Sequence, residues 1–141
     1  MLFEFTIING MVKMIIKISS ILNNTENKDK VEKAIKNIFP TANVILINKN
    51  EEKFLEAELK NLEDLKKFKM LLKIRKIRAA AKAIFLKGIE GKKIIFYLNK
   101  QVASVGQISF SEPIGESPLG PIKVIIENDD PHKIIDWLTQ E

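Results

Sequence analysis

The side chains in this sequence that could do chemistry are mostly cations, and they are concentrated in one segment. Residues 60–100 hold thirteen Lys or Arg against three acids, Glu63, Asp64 and Glu90, a charge of about +10. The whole chain carries only +5, so the remaining residues sum to about −5. A segment this basic attracts polyanions and holds them at one face. Polyanion binding is therefore the first functional hypothesis.

Three of these cations share one side of a predicted helical region, residues 62–87, with a break near Lys73. At about 100° per residue, Arg75, Arg78 and Lys82 fall in one arc beside an apolar stripe. The two arginines are the only ones beside twenty-one lysines, and a guanidinium can hold a phosphate with two hydrogen bonds. The alternative is a solvated helix face on which cationic side chains cover apolar surface. The predicted buried stripe consists of Ile74, Ile77, Ala81, Ile84 and Phe85.

Two further lysines follow the helix, after a pair of glycines. Lys92 and Lys93 come directly after the sequence GIEG at residues 88–91, a G-x-x-G spelling that KH domains use to clamp RNA. In a KH domain this loop joins two helices, whereas here it joins a helix to a strand and carries an acid. A helix C-cap followed by a turn is the favoured interpretation. The two lysines would then extend the cationic row at the end of the sheet.

Asn99, Lys100 and Gln101 form a polar break between two apolar runs. We predict a turn here, whose amide and ammonium groups contact phosphate, ribose or a base edge, or else hydrogen-bond the turn itself. Two aromatic residues in the preceding run, Ile94–Leu98, raise the question of base stacking. The run is too apolar for an exposed platform, so it predicts a buried central strand.

Several classes of chemistry find no support in the sequence. The chain has no cysteine and a single histidine, which excludes disulfides, thiolate metal sites and the usual zinc sites. Its acids, among them Glu56, Glu58, Glu63 and Asp64, show no paired arrangement, and no nucleophile or phosphate-cradling motif occurs. We therefore expect no enzyme activity, no metal and no cofactor.

The sequence also lacks the signals of a secreted or membrane protein. Its first ten residues contain an acid and no basic region, and no stretch approaches about eighteen uninterrupted apolar residues. A soluble, cytoplasmic protein without membrane contact is expected. The abundance of Lys, Glu and Ile is typical of hyperthermophile proteins, although an AT-rich genome gives a similar bias.

Hydrophobic periodicity indicates which elements position these residues. Alternating apolar residues predict strands, apolar residues at helical spacing predict helices, and clusters of Asn, Gly and Pro mark turns. The resulting element order is β-α-β-β-α-β-β-β-α. Strands are predicted around residues 12–18, 43–48, 53–59, 94–98, 108–110 and 122–126, and helices around residues 31–38, 62–87 and 131–138.

This order predicts one α+β domain over residues 1–141, a two-layer sandwich in which helices cover one face of a mostly antiparallel sheet. Residues 1–10 are either an extra edge strand or a frayed N-terminal extension. Residues 111–121, SEPIGESPLGP, predict an irregular loop because they hold three prolines and two glycines. Trp137, in the last helix, is expected to anchor that helix in the core.

Three stretches of the sequence resemble one family: YLNKQVASVGQISF at residues 97–110, SPLGPIKVII at 117–126 and IDWL at 135–138. They are similar to the archaeal uncharacterised protein family 0201, and the resemblance covers roughly residues 11–139. It implies a small protein described as predicted RNA-binding or exosome-linked, with a fold similar to the large-subunit ribosomal protein that binds 5S rRNA. The family's long helix reads close to R-I-x-D-A-A-R. Residues 76–82 read KIRAAAK, so Ala79 replaces an acid that would orient an arginine in relatives.

Two functions follow as hypotheses. In the first, the chain is a non-catalytic RNA-binding protein, acting on ribosomal or other structured RNA, with ribosome or exosome components as further partners. Cations would neutralise phosphates, and amides would contact sugars or base edges. In the second, the basic face docks an acidic protein partner in an RNA-processing complex. The candidate RNA-binding residues are Arg75, Arg78, Lys82, Lys92, Lys93, Asn99, Lys100 and Gln101.

Overall fold

In the part of the chain that the structure describes, an antiparallel sheet of six strands forms one layer of the fold, and helices form the other. The computed structural model describes residues 13–112 and 119–140. The strands are β1 (Met14–Leu22), β2 (Ile45–Lys49), β3 (Glu52–Leu59), β4 (Ile89–Glu90), β5 (Lys93–Leu98) and β6 (Ile122–Asn128). The helices are α1 (Lys28–Ile38), α2 (Lys66–Ile74), α3 (Arg78–Lys87), α4 (Lys100–Ser104) and α5 (Pro131–Thr139), with a 3-10 turn over Leu62–Leu65. The strand order is β2-β3-β1-β6-β5-β4, so the α+β fold class predicted from the sequence is confirmed.

The period of two in the strands explains why only one face of the sheet is buried. In β1, Met14, Ile16 and Ile18 are buried, and the residues between them remain partly or fully exposed. In the antiparallel register of β1 and β6, Ile16 lies opposite Ile126 and Ile18 opposite Val124. Buried residues therefore line up across neighbouring strands and form the surface on which the helices pack.

Phenylalanine side chains hold α2 and α3 on this surface. Phe68 of α2 stacks on Phe96 of β5 with ring centroids 5.5 Å apart, and Phe85 of α3 lies 4.9 Å from the same ring. All three rings are almost fully buried. Phe96 is thus a core residue, as its apolar run predicted, and it fixes the position of both basic helices.

The prediction of a strand at residues 108–110 is wrong. Phe110 forms only an isolated bridge with Leu98. The two backbone hydrogen bonds of this bridge run from the Asn99 N–H to the Ser109 carbonyl and from the Ser111 N–H to the Tyr97 carbonyl. The two-residue strand β4 occupies this edge of the sheet instead. The centre of the sheet is therefore formed by β1 and β6, and β5 lies next to the edge rather than in the centre as predicted.

The predicted helix over residues 62–87 is divided, and the division lies at Arg75–Ile77 rather than near Lys73. Lys76 has a left-handed backbone, with φ of 58°, which ends α2 and redirects the chain into α3. The helical wheel that placed Ile74 in a buried stripe assumed that residues 74–85 form one continuous helix. Ile74 is in fact 61% exposed. Arg75 ends α2, so only Arg78 and Lys82 share a helix.

The predictions for residues 1–10, and for positions 113–118 of the loop at residues 111–121, lie outside the described residues. Among the residues that are described, no helix is both long enough and apolar enough to cross a membrane. Trp137 is 8% exposed and packs into the core, as expected.

Candidate nucleic-acid interface

All charged side chains on the outer surface of α2, α3 and the bend between them are cations. Residues 66–87 carry nine Lys or Arg and no acid, and none of the nine side chains is buried. The helices turn Phe68 and Leu72 on α2, and Ala81 and Phe85 on α3, toward the core, which leaves the cations outside. We call this surface the basic face. It includes Arg75, Arg78 and Lys82.

Helix α5 borders the basic face and supplies partners for three predicted cations. Lys92 Nζ lies 3.2 Å from Asp129 just before the helix, and Lys82 Nζ lies 3.7 Å from Asp136 within it. Arg78 donates to the Gln140 carbonyl, over 3.0 Å, just beyond its end. A nine-residue helix is about 13 Å long. The three cations therefore follow one another along α5, with Lys92 and Arg78 at opposite ends.

Arg75 lies at the end of α2 and reaches a different part of the chain. Its Nη2 donates to Gln107 Oε1 over 2.8 Å, which ties the bend after α2 to the segment that follows α4. Both side chains are exposed. Gln107 is a polar group of this surface that sequence reasoning missed, because the pairing joins residues 32 positions apart.

Lys69 and Lys73 are two further cations that the candidate list lacked. Lys69 Nζ lies 5.4 Å from the centre of the Trp137 ring, a cation–π contact between α2 and α5. Partial burial lowers the pKa of Lys69, and the charges of Lys73 and Arg78 lower it further. Lys69 therefore lies within electrostatic range of Lys73 on α2 and of Arg78 on α3. The spacing of four residues between Lys69 and Lys73 was the available sequence signal.

The glycine pair before Lys92 and Lys93 forms a cap and a turn, as favoured from the sequence. Gly88 ends α3 where a Cβ would lie 2.1 Å from the Ile95 carbonyl oxygen, so only glycine allows this approach. Gly91 has φ of 62° in the turn between β4 and β5. Lys92 then borders α5, while Lys93 lies exposed at the start of β5, opposite Glu127. The structure thus joins only Lys92 to the basic face.

The turn predicted at Asn99, Lys100 and Gln101 is instead the start of α4, and it does not present all three side chains to a ligand. Asn99 Oδ1 accepts a hydrogen bond from the Val102 N–H over 2.9 Å and caps the helix. Gln101 is exposed and lines a groove of about 300 Å³ between α1 and α4.

Within the described ranges, no group of three or more acids or histidines could hold a metal ion.

Lys100, predicted to neutralise a phosphate, is buried, with 4% of its surface exposed. Its ammonium donates to the Ile21 and Leu119 carbonyl oxygens, each over 2.8 Å, and to both carboxylate oxygens of Glu26 at 3.0 and 3.2 Å. Burial lowers the pKa of Lys100, and the hydrogen bond and charge of Glu26 act in the opposite direction. All its donors are used internally, so Lys100 holds α4 against β1 rather than binding RNA.

The free energy of unfolding should depend on pH through the Glu26 carboxylate. Burial alone would raise its pKa, but hydrogen bonds from Asn23 and Lys100 and the Lys100 charge outweigh this and hold the pKa below its ordinary value of 4.5. The stabilisation is complete above that value and is lost as the pH falls through the lower, folded-state pKa. We expect the stability gap between the wild-type protein and Glu26→Gln to narrow below about pH 4.5, measured by urea unfolding. A gap that stays constant down to pH 3 would contradict this account.

Comparison with known proteins identifies the family of this chain. A family model described as RNA binding matches residues 15–128. A UPF0201 protein from Sulfolobus acidocaldarius is 43% identical over 122 residues, covering 86% of this chain and 84% of the relative. A UPF0201 protein from Sulfurisphaera tokodaii is 43% identical over 129 residues, covering 92% and 88%.

A solved structure supports the same assignment. The crystal structure of a UPF0201 protein from Methanococcus jannaschii matches with a TM-score of 0.78 and 36% identity, over 90% of this chain and 93% of that chain. The chain therefore belongs to this RNA-binding family and to the archaeal UPF0201 proteins, as the resemblance in its sequence implied.

Proposed function

We propose that this protein is a non-catalytic RNA-binding protein that contacts the RNA backbone with its basic face and with Lys92 beside α5. One observation carries the proposal: nine cations and no acid lie on two adjoining helices and the bend between them, and all nine side chains reach solvent. Cations grouped in this way neutralise successive phosphates and bind by backbone shape with modest sequence selectivity. Ribosomal RNA, or RNA in a processing complex such as the exosome, is the proposed setting, and it rests on the family resemblance alone.

Binding across a salt series tests the proposal. If about five phosphates are neutralised, the logarithm of affinity should fall with the logarithm of salt concentration with a slope of roughly −3.5 to −4.5. Fluorescence anisotropy with ribosomal RNA fragments, from about 50 to 200 mM salt, measures this slope. Absence of binding at physiological salt, or a slope near zero, would contradict the proposal.

The carboxylate of Asp136 should restrain RNA binding, because it already pairs with Lys82 at the edge of the basic face. We expect Asp136→Asn to tighten RNA binding about two- to fivefold and to make the salt slope steeper by up to about 0.9, since one more cation becomes available for phosphate. Stability should change little, because both side chains are more than half exposed.

Glu32→Gln is the matched control for Asp136→Asn. It also removes one negative charge, but its partners are Lys28 and Lys36 on α1, away from the basic face. Its RNA affinity should equal that of the wild-type protein. Equal tightening in both variants would indicate a general effect of net charge and would contradict a specific role for Asp136.

A second function, docking of an acidic protein partner, is favoured by the ion pairs of the same surface. Carboxylates already lie beside Lys82 and Lys92, so acidic side chains of another protein would fit these positions. Such an interface would show a weaker salt response with RNA than with an acidic protein. Steeply salt-dependent RNA binding that an acidic protein cannot displace would exclude this alternative.

A further inference from the structure

The bend between α2 and α3 holds Lys76 in the left-handed backbone conformation, which costs lysine free energy. The Ile77 N–H donates to the Leu72 carbonyl and the Lys76 N–H to the Lys73 carbonyl, each over 3.1 Å. This pair of hydrogen bonds defines a Schellman cap, in which the left-handed residue is usually glycine. Here it is Lys76, with φ of 58°. A side chain on a left-handed residue crowds the backbone, so glycine at this position would make the protein more stable than lysine does.

Within the described ranges, the Lys76 side chain makes no interaction that would offset this cost in free energy. It is exposed, and it forms no hydrogen bond or ion pair with the part of the chain that the structure describes. It stands between Arg75 and Arg78, the only arginines of the sequence. Lys76 therefore adds a third, unpartnered positive charge to the bend, beside the two arginines, within the described part of the chain.

Exposed aliphatic side chains accompany these cations. Ile74, just before the bend, is 61% exposed, and Val105, in the turn after α4, is 71% exposed. The hydrogen bond between Arg75 and Gln107 brings these two segments of the chain together. Exposed aliphatic side chains do not neutralise phosphates, so they offer this surface a second kind of contact.

We infer that residues 74–78, together with Val105, form a contact site for an unpaired segment of RNA. This inference rests on the proposed function and names the class of RNA. Lys76 and the flanking arginines bind phosphates, while Ile74 and Val105 pack against the faces of unstacked bases. In an A-form duplex the base faces are covered by stacking, so aliphatic side chains would gain nothing there.

The test compares a single-stranded oligoribonucleotide with a fully paired duplex of the same sequence, both by anisotropy at fixed salt. The double variant Ile74→Ser, Val105→Ser should lose about three- to tenfold affinity for the single strand and keep its affinity for the duplex. Its salt slope should not change, because no charge is altered. The control is the double variant Ile45→Ser, Leu46→Ser on the edge strand β2. Ile45 is 53% exposed and Leu46 is 42% exposed.

Lys76→Gly tests the charged half of the site with opposite effects on two readouts. Relief of the left-handed backbone should raise Tm by about 2–5 °C, while RNA affinity falls several-fold and the salt slope flattens by about 0.7. Glu51→Gly is the matched control, because Glu51 has φ of 67° in the hairpin between β2 and β3. It should raise Tm without weakening RNA binding.

The outcomes separate this inference from the proposed function. If the wild-type protein binds RNA with a steep salt slope, but prefers the duplex or is unaffected by the Ile74 and Val105 substitutions, the unpaired-RNA site is wrong and the proposed function stands. If the wild-type protein binds neither RNA, the proposed function fails first. Equal losses in the β2 control would also overturn the site.

Discussion

Lys100→Met is expected to lower the free energy of unfolding by about 3–5 kcal/mol, the cost of removing one partner of a buried ion pair. The substitution leaves the Glu26 carboxylate, 8% exposed, without its cation. It also leaves the Ile21 and Leu119 carbonyl oxygens without the donor at 2.8 Å. Urea or thermal unfolding followed by circular dichroism measures the loss.

Lys82→Met provides the matched comparison for Lys100→Met. Lys82 also forms an ion pair, but 53% of its side chain is exposed, so its removal should cost less than about 1 kcal/mol. The double variant Lys100→Met, Glu26→Leu should recover part of the loss, because the buried charge is gone while the two carbonyl oxygens remain unpaired. If Lys100→Met unfolds like Lys82→Met, the ammonium of Lys100 is not the structural group that we describe.

The triple variant Arg75→Ala, Arg78→Ala, Lys82→Ala is expected to weaken RNA binding roughly 50- to 100-fold near physiological salt. The estimate follows from three lost phosphate contacts, each of which releases about one counterion and contributes about fourfold. The salt slope should flatten by about two to three, and anisotropy across a salt series measures both quantities. Folding should be preserved, because all three side chains reach solvent.

Lys28→Ala, Lys33→Ala, Lys36→Ala on α1 is the control for this triple variant. It removes the same charge from a helix outside the basic face, and two of its lysines pair with Glu32. RNA affinity should fall by no more than the small long-range effect of net charge. Equal weakening by both triple variants would show that RNA responds to the overall charge of the protein and not to the basic face.

The two predictions separate residues that the sequence could not tell apart. Lys82 was predicted on a helix and Lys100 in a turn, and both were candidates for phosphate contact. In the structure one is enclosed by Glu26 and two carbonyl oxygens, and the other stands on the surface beside Asp136. One substitution should therefore change stability and the other RNA binding.

The sequence by itself determined the α+β class, most of the strands and helices, and the concentration of positive charge. These features depend on local pattern: alternation of apolar residues marks β1, β3 and β6, and helical spacing marks α1 and α5. The charge of the segment around α2 and α3 is a property of composition and needs no coordinates. The resemblance to one family added the expectation of RNA binding.

The tertiary structure alone decided which cations lie together on the surface. The left-handed Lys76 divides the basic helix, α5 places partners beside Lys82 and Lys92, and the pocket formed by Glu26, Ile21 and Leu119 removes Lys100 from the surface. Lys100 meets Glu26 across 74 positions and Ile21 across 79. Such contacts form only when the sheet and helices close around the core, so no periodicity or local charge pattern in the sequence encodes them.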